Sequence, residues 1–288
     1  MGLAWQQGPF GESPSGRFLL GRPLPAHILY AEPAGRRMRV ELAGAVVAQS
    51  DGVTLLHETG RYPVAYFPPA DLDAALLQPS GKRTQRPHLG ETAWWSLEIG
   101  GQRFADVAWS HPRPPRRAQL MAGLVAFVWE AMDAFYEEDE LILGHAADPY
   151  HRVDVRSSRR QLIVRLGGEL VAGTHAPLAV FETGFAPRWY VPRRDVTDAV
   201  LHDHPLQTLC PYKGVARYFD VVAGGQRAAT AAWSYPEALP ESVRLAGHVC
   251  FDPGQLELTL DGQRLLPADH QRVVATGTDR NLAVARPE

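Results

Sequence analysis

The run Cys210-Pro211-Tyr212-Lys213-Gly214 sets a thiol, a phenol and a primary amine within four residues of one another. These are the side-chain types that supply nucleophiles, proton donors and compact positive charge. Lys213 stands out most. The chain has 29 Lys plus Arg, and only Lys82 and Lys213 are lysine. With a single Asn and four Ile, this is the residue usage of a GC-rich genome. A lysine kept where arginine is the default points to what arginine cannot do: lose a proton when desolvated, act as base or nucleophile, or present a point charge to an anion. Cys210 lies three residues away, and its thiol becomes a nucleophile if the ammonium lowers its pKa. The plainer alternatives are a solvated lysine beside a turn glycine and a small buried cysteine.

Glu182 closes the apolar run Leu178–Glu182 just before Thr183-Gly184. Its carboxylate either faces a pocket or accepts hydrogen bonds from the N–H groups of that turn. Tyr190, Tyr212 and Trp233 are candidates for the aromatic walls of a ligand site, although the Trp of Ala232-Trp233-Ser234 reads equally as core. The candidate centre is therefore Lys213, Glu182 and Cys210 as catalytic groups, with Tyr190, Tyr212 and Trp233 as ligand contacts. His202 and His204 have metal-ligand types, but the stretch reads as loop with only Asp203 beside them, so no metal is expected. No Gly-rich phosphate loop is present, and no cofactor is expected.

The elements that must position these residues occur twice. Slid against itself by 124 residues, the chain shows 30 identities in the 88 positions from Val40 to Phe127. Chance gives about six or seven per hundred. Glu58-Thr59-Gly60 meets Glu182-Thr183-Gly184, Gly100-Gly101-Gln102-Arg103 meets Gly224-Gly225-Gln226-Arg227, and Ala108-Trp109-Ser110 meets Ala232-Trp233-Ser234. This is a tandem duplication of a domain-sized unit. The expected organisation is an irregular arm over 1–37 with Trp5, Phe10 and Phe18 as anchors, domain one over 38–143, a linker over 144–152, domain two over 153–267 and a tail over 268–288. The copies diverge at one informative place: Arg86-Pro87-His88-Leu89-Gly90 stands where copy two has Cys210-Pro211-Tyr212-Lys213-Gly214. Pro and Gly survive, so the turn survives. The reactive types stand in copy two alone.

Within each copy the pattern is strands. Arg39–Leu42 and Leu162–Leu166 lead through glycine turns into further apolar runs, and Ala216–Val222 leads into Gly224-Gly225. Gly123–Tyr136 alone could pass for a helix. Its partner Gly247–Leu260 contains Asp252-Pro253-Gly254 and an alternating Leu256–Leu260, so Leu124–Trp129 is expected as a strand. Short helices are expected at Asp71–Leu77 and Asp195–Leu201, each with an N-cap aspartate, and a local helix at Glu137–Glu140.

The run Thr208–Tyr218, with Glu182-Thr183-Gly184, Tyr190–Val196, Ala232–Pro236 and Ala246–Phe251, resembles the bacterial family known as domain of unknown function 427. The opening Met1–Gln7 and the Asp148–Arg152 linker resemble its two-copy actinobacterial form. The resemblance implies a mainly β fold of two β-tent-like domains, small antiparallel sheets leaning over a pocket, with short helices. A nucleotidyltransferase label is sometimes attached to that family; here Asp71 and Asp73 form the one nearby acidic pair, and copy two has Thr197 in place of Asp73.

Composition bounds the partners. With 45% hydrophobic and 21% charged residues the chain is globular rather than disordered or fibrous. A net charge of −3 gives no basic field for nucleic acid. Two cysteines make no disulfide framework. No apolar run spans a membrane and the opening residues have no secretory pattern, so a cytoplasmic location is expected. The expected partner is a small molecule, bound in the second repeat at Lys213, with the two repeats forming an intramolecular pseudo-dimer. The competing reading is a binding or assembly module whose motif is a structural turn.

Overall fold

In the computed structural model the described residues are 27–266, with Pro25 and, nearer the N-terminus, Ala4, Gly8, Phe10, Gly11, Glu12, Pro14 and Gly16. Trp5, Phe18 and the tail over 268–288 lie outside them. The chain divides into two compact units, one of 25–146 and one that includes 147–266.

Domain one is built from β1 (Leu29–Pro33), β2 (Met38–Leu42), β3 (Ala45–Ser50), β4 (Thr54–Glu58), β5 (Val64–Tyr66), β6 (Leu77–Arg86), β7 (Gly90–Ile99), β8 (Gln102–Ser110), β9 (Val125–Phe127), β10 (Ala134–Glu137) and β11 (Glu140–Leu141). Domain two repeats the series as β12 (Val153–Ser157), β13 (Leu162–Leu166), β14 (Glu169–Thr174), β15 (Leu178–Glu182), β16 (Arg188–Pro192), β17 (Leu201–Cys210), β18 (Gly214–Ala223), β19 (Gln226–Ser234), β20 (His248–Phe251), β21 (Glu257–Leu260) and β22 (Gln263–Arg264).

In domain two a seven-stranded sheet runs β12-β15-β16-β20-β19-β18-β17 and a four-stranded sheet runs β14-β13-β21-β22. Domain one has the same order, β11-β10-β2-β3 for the small sheet and β1-β4-β5 with β6-β7-β8-β9 for the large one. The two pieces of the large sheet meet through Phe67 and Val125, which exchange N–H···O bonds of 2.7 and 2.9 Å. The duplication is thus one of fold, mainly β in both copies.

Strand alternation explains how each sheet is buried. On β15, Ala179 faces the small sheet and joins a core with Leu162, Val164 and Leu258, while Leu178 and Val180 face away into a second cluster with Tyr190 and Cys250. The large sheet therefore has two buried faces, and the space between the sheets is filled by apolar side chains. Two-residue hairpins set the registers. Ala43-Gly44, Gly100-Gly101, Gly167-Gly168 and Gly224-Gly225 all have positive φ at both positions, as a type I′ turn requires. Gly224 has a further reason to be glycine: a Cβ there would stand 2.7 Å from the carbonyl oxygens of Leu166 and Gly167.

Four expectations are corrected. Residues 29–33, placed in the irregular arm, form β1, which pairs with β4 as β12 pairs with β15. LYAEP and VDVRS share no residue at any position, which hid the equivalence. The helices expected at Asp71–Leu77 and Asp195–Leu201 are absent; single 3-10 turns at Pro69–Asp71 and Arg193–Asp195 precede them. Their aspartates accept hydrogen bonds of 2.6 Å from Ser50 and Thr174, and Leu72 and Val196 bridge to β3 and β14, which holds the chain extended. Glu137–Glu140 is a hairpin between β10 and β11, not a helix. His202 and His204 lie on strand β17, not in a loop, and His204 Nδ1 accepts the Leu206 N–H. Val125–Phe127 is a strand, as its copy-two partner indicated.

Candidate functional site

The period of two collects the site. Glu182 and Val180 on β15, Arg188 and Tyr190 on β16, and Cys250 on β20 point to the outer face of the large sheet, with Tyr190 directly opposite Cys250 and Cys250 opposite Trp233 in register. The three-residue turn Pro211-Tyr212-Lys213 then folds Lys213 over that face. Two bonds pin the turn: Leu239 N–H donates to the Lys213 carbonyl and Ser242 Oγ to the Tyr212 carbonyl. Gly214 follows with φ 103°, where a Cβ would meet the Glu237 carbonyl oxygen at 2.9 Å.

Lys213 is 3% exposed, and its Nζ donates to Glu182 Oε2 at 2.5 Å. Arg188 reaches the same oxygen at 3.4 Å, and His151 Nε2 lies 3.3 Å from Oε1. The Tyr212 ring stacks on His151 with centroids 3.9 Å apart, and its hydroxyl accepts the Asp148 N–H at 2.7 Å. Two permanent cations and one histidine thus surround one carboxylate. Burial opposes the Glu182 charge, but Lys213, His151 and Arg188 outweigh it and hold the carboxyl well below the usual range. Burial likewise opposes the Lys213 charge; Glu182 outweighs it and keeps the amine protonated above the ordinary lysine value. Lys213 thus carries a compact positive charge against Glu182.

Burial likewise pushes the Cys210 thiol up, against the smaller opposing pull of Lys213. The Cys250 thiol on β20 is pushed up to about 12. Glu182 also does not cap the Thr183-Gly184 turn with its carboxylate; its oxygens go to the cations. Tyr190 is fully buried and receives the Trp233 indole N–H at 3.2 Å, just as Tyr66 receives that of Trp109 at 3.1 Å. This Tyr–Trp pair belongs to the fold of both copies. Of the six expected residues, Lys213, Glu182, Cys210 and Tyr212 lie in or beside one charged cluster, and Tyr190 and Trp233 form its floor.

His151, Arg188 and Tyr235 were not anticipated. The signal was available: Arg188 replaces Val64 and Tyr235 replaces His111 across the copies, and the ungapped offset, extended toward the N-terminus, pairs His27 with His151. The Tyr235 ring lies 5.8 Å from the Lys213 amine.

The equivalent place in domain one is built differently. Leu89 occupies the Lys213 position and is fully buried. Glu58 is kept and takes its cation from Arg86, three residues earlier, with Arg61 at 3.1 Å and His27 at 3.3 Å. Above Leu89 a cavity of about 280 Å³ opens, lined among others by His27, Leu56, His88, Leu89 and Met121. Shifted by 124 these are His151, Val180, Tyr212, Lys213 and Leu245. This cavity lies in copy one.

A strand order used twice in one chain defines a tandem mainly-β protein. The chain belongs to the family described as a domain of unknown function (DUF427), which matches residues 30–138 and again 154–262. No curated protein matches it. Among the described residues, no cluster of metal-ligating side chains is present and no helix is long and apolar enough to cross a membrane.

Proposed function

We propose that domain two binds a small anionic metabolite at Lys213, with Arg188 as the second cationic contact and Glu182 and His151 fixing the amine. One observation carries this reading. The buried Lys213 and the half-buried Arg188 share a single carboxylate at a place where domain one closes the same turn with a leucine. Burying charge costs several kcal/mol per ion before pairing, and domain one meets its own glutamate with the half-buried Arg86 and the exposed Arg61 instead. An excess positive charge in a desolvated, aromatic-lined position is complementary to a carboxylate or phosphate. The protonated state of Lys213 favours binding over base catalysis. Two unpaired thiols, Cys210 and Cys250, suit a reducing cytoplasm.

The test is thermal denaturation of wild type and Lys213→Met with succinate, citrate, phosphate and sugar phosphates. At least one anion raises the wild-type midpoint and leaves that of Lys213→Met unmoved; an equal shift in both removes Lys213 from the site. The near-complete burial of Lys213 and the bonds holding its turn favour a second reading, in which the ion pair only latches the hairpin. That reading expects no anion to stabilise the wild type.

A further inference from the structure

We propose that the cavity of domain one is a separate binding site, for a small carboxylic acid with an apolar body. The cavity measures about 280 Å³, at the small end for ligand sites, which suits one ring or a short branched chain. Its interior is apolar. Leu89 is 0%, Met121 1% and Leu56 2% exposed, and β1 adds Leu29 and Ala31, so an apolar body leaves water on entering.

Its rim is cationic. Arg117 stands on the 3-10 segment Arg116–Met121, and among the described residues no carboxylate pairs with it. His27 and His88 stack with centroids 5.7 Å apart on the other side. His88, which lines the cavity, is held at φ 67°, a region a non-glycine residue seldom adopts. Glu58, the carboxylate that meets His27, is also met by Arg86 and Arg61. The mouth therefore presents an uncompensated guanidinium above an apolar chamber, which is the complement of an amphipathic acid. The site goes beyond the domain-two reading: it rests on Leu89 and Arg117, whose copy-two equivalents are Lys213 and Glu241. The exchange of Arg117 for Glu241 reverses the charge at this position, so the domain-one cavity is not repeated in copy two with the same chemistry.

The test is isothermal titration of the full chain with 3-phenylpropionate, 3-phenylpropanol and acetate. Wild type binds 3-phenylpropionate saturably at one site, with the alcohol and acetate at least tenfold weaker. Leu89→Trp fills the chamber and abolishes the binding. Arg117→Glu changes an exposed residue, leaves the circular dichroism spectrum intact, and weakens 3-phenylpropionate at least tenfold while leaving the alcohol within twofold. Absence of saturable binding to wild type, or equal affinity in wild type and Arg117→Glu, overturns the proposal.

Discussion

The two domains solve one problem in two ways. Each ends its fourth strand with a glutamate, Glu58 or Glu182, on the buried outer face of a sheet, and each must neutralise it. Domain one brings Arg86 and the exposed Arg61 and leaves a leucine beneath the turn; its ion pairs open toward solvent. Domain two moves the cation three residues along to Lys213, adds the half-buried Arg188 where domain one has Val64, and buries the Lys213–Glu182 pair. Because the strand order is the same, the difference is one of side chains: an apolar-lined cavity beside Leu89 in one copy, an ion cluster around Lys213 in the other.

The largest effect that would test this contrast is Glu182→Gln. It strands the buried Lys213 and the half-buried Arg188 and should cost about 3–5 kcal/mol, lowering the midpoint of domain two by more than ~10 °C. Glu58→Gln, whose partners are partly hydrated, should cost only about 1 kcal/mol. Equal costs would show that the two centres are energetically alike. The pH profile sharpens the point. The folded Glu182 value lies below the ordinary 4.5, so its stabilisation is complete above pH 4.5 and is lost as the pH falls below it. The folded Lys213 value lies above the ordinary 10.5, so its share is complete below that pH and fades in alkali. Urea titrations of wild type should show a plateau between, and Glu182→Gln should flatten the acid limb.

Next in size is the turn glycine. Gly214→Ala combines φ 103° with a 2.9 Å approach to the Glu237 carbonyl, whereas Gly90→Ala combines φ 79° with a 3.5 Å approach to that of Arg113. The first should cost about 2–3 kcal/mol and the second about 1, measured by chemical denaturation. A smaller cost at Gly214 would show that its turn yields more easily than its packing indicates. Smaller still is the effect of copying domain one into domain two by Cys210→Arg, Arg188→Val and Lys213→Leu together. Replacing a buried charge cluster with a half-exposed pair is near neutral, within about 1–2 kcal/mol. The triple variant should keep its melting temperature and lose every anion-induced shift.

Much of this architecture could be read from residue order, because its causes are local. The paired glycines at 100–101 and 224–225 dictate their hairpins through φ alone, and the Pro-x-x-Gly spacing at 211–214 dictates the turn. The helices at Asp71 and Asp195 failed because their carboxylates are drawn to Ser50 and Thr174, 21 residues away, by tertiary contacts that no local pattern encodes. Lys213 and Glu182 were legible as chemistry, since they differ from or match their twins. Their partnership was not, because 31 residues separate them and only the sheet register brings them together. Arg188 went unnoticed as one arginine among many, although the copy comparison that singled out Lys213 applies to it equally.

The smallest effect concerns the cysteines, where the two copies again differ: Arg86 and Ala126 stand opposite Cys210 and Cys250. A thiol close to Lys213 and Arg188 would ordinarily be activated by them. In this site burial dominates, raising Cys210 and taking Cys250 up to about 12. Alkylation requires the thiolate and access to it: Cys250 is buried, Cys210 is half-buried, and burial raises both thiols. Iodoacetamide at pH 8 should therefore label native Cys210 slowly and Cys250 not at all, and full labelling should appear in urea at the unfolding transition of domain two. Glu182→Gln alters this in a defined direction. Removing the carboxylate leaves Lys213 and Arg188 uncompensated, lowers the Cys210 thiol, and should speed its labelling in the native state while Cys250, fully buried on the sheet, stays slow. Equal acceleration at both cysteines would mean that the variant has merely loosened the domain; acceleration at Cys210 alone would show the unmatched positive charge acting on the nearest group able to answer it.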